Sequence, residues 1–110
     1  MIGKLVDSSP TLLKKLQPDI GVHYAAMREA AFKSGPLDKP TCQLIMLGAF
    51  VAAGYEMAFR NHTKWLKESG IPKAAVEQAV LVTLGSTTDV NQIGPALSWI
   101  EDVYGPAEKV

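Results

Sequence analysis

Residues 37–70, LDKPTCQLIMLGAFVAAGYEMAFRNHTKWLKESG, decide the fold. They read as two consecutive helices. Asp38 offers an N-cap acceptor, and Pro40 falls early enough in the first turn to be tolerated. Residues 42–53 carry no charge at all. A helix apolar on every side must be covered on every side, and in so short a chain a partner subunit is the expected cover. Gly54 marks the break. The helix expected over 55–69 has clear sidedness at 100° per residue. Tyr55, Ala58, Phe59, His62, Trp65, Leu66 and Ser69 share the face expected to lie inward. Arg60, Asn61, Lys64, Lys67 and Glu68 occupy the opposite face, with Glu56 and Thr63 on the border.

On the N-terminal side, Ser9-Pro10 predicts a cap and first turn for a short helix through Leu12, Leu13 and Leu16. Pro18 interrupts it, because an interior proline loses a backbone donor and clashes with the preceding turn. A second helix is expected over 18–33, with Ile20, Tyr24, Met27 and Ala31 at helical spacing. Ser34-Gly35-Pro36 should end it, with Gly35 as a left-handed cap. On the C-terminal side, Gly70 stops the His62 helix. Pro72 opens the next, which takes in Val76, Val80, Leu81 and Leu84. Residues 85–89 form a small polar break whose Ser, Thr or Asp can cap a last helix over 88–104. Gly94-Pro95 predicts a kink or restart within it. No alternating strand pattern appears, so the fold class is all-α.

Size and charge bound the function. A chain of 110 residues with 47% hydrophobic and 20% charged residues is expected to form a single domain, 1–110. Eleven basic and eleven acidic residues are interspersed. That argues against nucleic acid or an anionic membrane as partner, since both require a concentrated basic patch. The apolar run at 44–53 is shorter than the ~20 residues that span a bilayer. The N-terminal MIGKLVDSSP lacks an apolar h-region, so no signal peptide is expected. One cysteine, Cys42, excludes an intramolecular disulfide framework. The expected location is cytoplasmic. No zinc-type spacing or glycine-rich phosphate loop occurs, so no metal is expected.

From about residue 32 to residue 100 the chain resembles the carboxymuconolactone decarboxylase family, which includes the AhpD-like alkylhydroperoxidases. The resemblance rests on Gly35-Pro36-Leu37-Asp38-Lys39, Gln43-Leu44-Ile45, His62, Gly70-Ile71-Pro72 and Val76-Glu77-Gln78-Ala79, in that order and spacing. It implies an AhpD-like fold of about five to six helices that assembles as a homotrimer or homohexamer, with the site near a subunit interface. The peroxidase branch carries Cys-x-x-Cys-x-x-x-His with a glutamate twelve residues before the first cysteine. In this sequence those positions hold Tyr55, Ala58, His62 and Gln43, so only the histidine remains. Without a nucleophilic and a resolving thiol, dithiol peroxidase chemistry is not expected. The decarboxylase branch needs neither the cysteine pair nor a metal or organic cofactor, and is the nearer analogy.

His62 is the leading candidate general acid or base, because an imidazole titrates near neutral pH. Its bland reading is a core histidine bonded to a backbone carbonyl; the match to the family's histidine position tips the choice toward function. Tyr55 lies two turns away on the same stripe and could bind substrate, or be a packed aromatic with its hydroxyl at the rim. Gln43 could orient a substrate carboxylate or carbonyl, or satisfy a buried polar contact. Glu56 is a candidate catalytic acid whose default role is an i,i+4 surface pair with Arg60. Cys42, His23, Trp65 and Trp99 read as structural. The function these residues suggest is a cofactor-independent lyase or isomerase acting on a small carboxylated or lactone metabolite. The alternatives are a non-catalytic ligand-binding oligomeric module and an AhpD-like peroxidase using Cys42.

Overall fold

The computed structural model describes residues 8–106. It contains six helices and, among the described residues, no strand beyond one isolated bridge between Leu84 and Thr88. The all-α class follows directly. The chain divides between Leu37 and Asp38 into two compact units.

The first unit holds α1 (Ser9–Leu16) and α2 (Pro18–Phe32). Ser8, rather than the expected Ser9, caps α1, its hydroxyl accepting from the Thr11 N–H. Pro18 starts a new helix where it cannot continue the old one. The two helices meet at Gly21, where a β-carbon would lie 2.3 Å from Lys14 Cα. Only glycine permits that approach. One expectation is corrected. Gly35 does not adopt a left-handed conformation, and α2 ends at Lys33 with right-handed backbone. Ile20, Tyr24, Met27 and Ala31 are all exposed, so their spacing marks a surface stripe and not a core face.

The second unit holds α3 (Lys39–Ala53), α4 (Glu56–Glu68), α5 (Lys73–Leu81) and α6 (Val90–Tyr104). Asp38 caps α3 as expected, accepting from the Thr41 N–H at 2.9 Å. Hydrogen bonds from the Thr41 side chain and backbone hold the Asp38 carboxyl below the usual aspartate range. Two helices end in the same way. Gly54 has φ +77°, with its N–H on Val51 O and the Tyr55 N–H on Phe50 O. Gly70 has φ +87°, with its N–H on Lys67 O and the Ile71 N–H on Leu66 O. Both are Schellman caps, which require the left-handed residue that glycine supplies without steric cost.

Asp89 caps α6 in a reciprocal box with Gln92, whose amide also reaches Ala52 O at the end of α3. The expected kink or restart in α6 corresponds to an unbroken helix with Pro95 inside it. Gly94 explains the tolerance: the clash between a proline ring and the preceding β-carbon has no β-carbon to act on. α5 takes in Val76, Val80 and Leu81 as expected but stops there, so Leu84 falls in the turn that follows, a further correction. That turn is held by Thr83 O, which accepts from the N–H groups of Ser86, Thr87 and Thr88.

The core of this unit is Leu47 and Val51 from α3, Phe59 and Leu66 from α4, Val76 and Val80 from α5, and Ile93, Ala96 and Ile100 from α6. Fully burying a side chain of the Val, Leu, Ile or Phe type contributes about 1.5–3 kcal/mol. Among the described residues α3 is fully buried along one face. Leu47, Gly48 and Val51 are buried, whereas Ile45, Ala49 and Ala53 are exposed. No described helix is long and apolar enough to cross a membrane.

Candidate functional site

α4 lies against α3 on one flank and α6 on the other, and its residues divide accordingly. Phe59, Thr63 and Leu66 point inward. This corrects the expected face. Thr63, read as a border residue, is 0% exposed, while Tyr55 and Trp65, read as inward, are 60% and 46% exposed. The buried arc is rotated toward α6 because Trp99 packs edge-on against Phe59, 5.4 Å between ring centroids, and fills that side.

His62 therefore sits at the edge of the buried arc, half-buried, on the flank facing α3. Its ring lies 5.1 Å from that of Phe50, with the planes at 44°. Trp65, one turn further along α4, lies 4.7 Å away, edge to face at 72°. The Nδ1 atom of His62 is buried. Tyr55 joins the group through Phe50, at 6.4 Å between ring centroids. That last contact belongs to the Schellman cap at Gly54, which brings the residue after the glycine back onto the helix it terminates. The result is a row of four rings, Tyr55, Phe50, His62 and Trp65, with half-buried members at its centre and exposed ones at its ends.

Phe50 is the member that the sequence reading missed. It belongs to another helix, and the only local signal for it was Gly54, whose cap predicts contact between residues 55 and 50. Gln43 is 5% exposed on the inner face of α3, two turns before Phe50. Glu56 lies on the other flank of α4. Arg60 donates to it at 2.8 Å and to Asp102 of α6 at 2.9 Å, with the guanidinium over the Trp99 ring. Burial works against the Arg60 charge, but its bonds to Glu56 and Asp102 outweigh this and raise its pKa. Glu56 thus tethers α4 to α6 through Arg60, on the face away from the ring row. A shallow concavity on that face is lined by Arg60, Asn61, Lys64, Lys67, Glu68 and Val103, and His62 is not part of it.

Cys42 is half-buried on α3, and His23 is exposed on α2. Trp99 is a core neighbour, whereas Trp65 is a surface residue. Among the described residues no three His, Cys, Asp or Glu side chains are grouped to hold a metal ion. No protein-family model matches the chain, and no curated protein or solved structure does.

Proposed function

We propose that the chain is a carboxymuconolactone decarboxylase-like lyase or isomerase that needs no cofactor, with His62 as its acid–base group. The observation that supports this reading is the placement of His62: half-buried beside Phe50 and Trp65, with Tyr55 at the exposed end of the same row. An imidazole so placed packs against aromatic rings at the margin of the buried face. In a decarboxylation the departing carbon dioxide leaves an electron pair that a conjugated carbonyl takes up, and one carbon then needs a proton. His62 would carry that proton, and Tyr55 would hold a polar group of the substrate. Glu56, committed to Arg60, would act on the site only indirectly.

Ile45, Ala49 and Ala53 on α3, Tyr55 at the start of α4 and Trp65 within it are exposed, and Tyr55 and Trp65 are the outer members of the His62 row. Apolar surface of this kind suits assembly into a homotrimer or homohexamer whose neighbouring copy would enclose the ring row. The second reading, a non-catalytic binding module, draws on one observation: the concavity on α4 lies on the face opposite His62.

The test is His62→Gln, assayed for carbon dioxide release or isomerisation with small carboxylated lactones and β-keto acids as probes. A catalytic His62 predicts loss of turnover by about 10²–10⁴-fold, the usual scale for an acid–base group, with oligomeric state and melting temperature unchanged. Full activity in the variant would leave His62 without a chemical role. Loss of the oligomer would make that role structural.

A further inference from the structure

Gln43, Leu47 and Val51 follow one another at helical spacing along the buried face of α3, with Gln43 first in the stripe. Leu47 and Val51 belong to the apolar core, whereas Gln43 brings a carboxamide to that face. The residue is 5% exposed, and neither Oε1 nor Nε2 forms a hydrogen bond among the described residues. The buried Thr63 hydroxyl is sealed from solvent; the Gln43 amide is not, so it keeps a contact with the surface. We propose that Gln43 is a ligand-binding residue whose amide takes an uncharged group with an acceptor and a donor side by side, such as a cyclic amide. This role goes beyond the acid–base reading of His62 and does not depend on it.

A glutamine amide offers one acceptor oxygen and two donor hydrogens. In so enclosed a position, leaving them unpaired is unfavourable. Methionine, similar in length, would fill the same place without that penalty. A ligand that presents a carbonyl beside an N–H pairs with both ends of the amide at once. Charge sets a second condition. The buried polar residues are Gln43 and Thr63, and no charged side chain is buried among the described residues. A carboxylate brought to Gln43 would give up water without meeting a buried cation, so the matching group is neutral. A lactone satisfies only half of the amide, because its carbonyl accepts from Nε2 while Oε1 stays unpaired.

Three small probes of one size separate these cases: γ-butyrolactam, γ-butyrolactone and γ-hydroxybutyrate. Each is titrated into protein labelled with ¹⁵N at glutamine side chains, and the Gln43 NH₂ signals are identified by their loss in Gln43→Met. The lactam should shift those signals saturably and bind about tenfold more tightly than the lactone, the scale of one added hydrogen bond to an enclosed group. γ-Hydroxybutyrate should leave them in place. Gln43→Met should be at least as stable as wild type and should bind lactam and lactone alike. Equal or tighter binding of the lactone or the carboxylate, or no shift with any probe, would overturn the proposal. So would a Gln43→Met protein that is destabilised or unfolded, since the amide would then have a partner within the fold. No turnover is measured, so a His62→Gln variant with full activity would defeat the lyase reading and leave these outcomes as they stand.

Discussion

Thr63 occupies the centre of the buried face of α4, 0% exposed, and its hydroxyl has no hydrogen-bond partner among the described residues. A helical threonine commonly donates to the carbonyl four residues back, here Phe59, and no such bond forms. A buried hydroxyl left without a partner costs about 1–3 kcal/mol of desolvation. Thr63→Val replaces it with a methyl group of nearly the same shape, in a helix where the two residues have similar propensity. The variant should be more stable by about 1–2 kcal/mol, taking the lower part of that range because the methyl must fit the same space. For a domain of this size that is a rise in melting temperature of about 4–8 °C per kcal/mol. Thr63→Ser keeps the hydroxyl and loses the methyl, so it should fall by about 1 kcal/mol. Urea unfolding followed by circular dichroism measures both changes at constant m-value. A Thr63→Val protein less stable than wild type by 1 kcal/mol or more would refute the reasoning, for the hydroxyl would then be satisfied in solution. A stabilised variant with impaired turnover would place the strain of Thr63 in the service of its neighbour His62.

Gly21→Ala should unravel the α1–α2 pairing, since the new methyl meets Lys14 backbone at 2.3 Å and the helices must part. Alanine's intrinsic helix preference, about 1 kcal/mol, does not offset that; hydrogen exchange over residues 9–32 reads the loss. Asp38 makes stability fall in acid: its folded pKa is depressed, so its contribution is complete above the ordinary aspartate range and disappears as pH drops toward the lowered value. Asp38→Asn keeps a cap acceptor and should flatten the stability–pH curve below that range. Ile45→Glu puts a charge on the exposed face of α3 and should shift sedimentation toward monomer; a wild-type monomer at micromolar concentration would remove the assembly proposal. With Cys42 as its one cysteine the chain has no dithiol, so no thiol-dependent peroxidase activity is expected; hydroperoxide turnover abolished by Cys42→Ala would contradict this.

Helix limits were legible where one residue dictates local backbone. Pro18, Gly54, Gly70 with Pro72, and Asp89 each act on hydrogen bonds within a turn of themselves, and all mark boundaries in the structure. The orientation of α4 was not legible. Helical periodicity orders its residues around the axis, but which arc is buried depends on helices arriving from elsewhere in the chain. Trp99 pulled that arc toward Thr63 and left Tyr55 and Trp65 outside. His62, at the centre of the expected face, lies at the edge of the observed one. Phe50, Asp102 and the Gly21–Lys14 crossing are matters of approach between segments, and no pattern within a single helix reports them.

The far end of α6 is fastened by side chains from earlier helices. Lys67 donates to Val103 O, Lys73 binds Glu101 and Gly105 O, and the Tyr104 hydroxyl donates to Ile71 O at 2.7 Å. α6 also packs on α3, α4 and α5. During synthesis these ties come last. α3 leaves the ribosome early with its apolar residues uncovered, and at about 5–20 residues per second the helix that closes over it follows seconds later. The α1–α2 pair, built from neighbouring segments, can form while that wait continues. The nascent chain, with α3 out and α6 still being made, is thus the form of this protein most open to chaperone capture or aggregation.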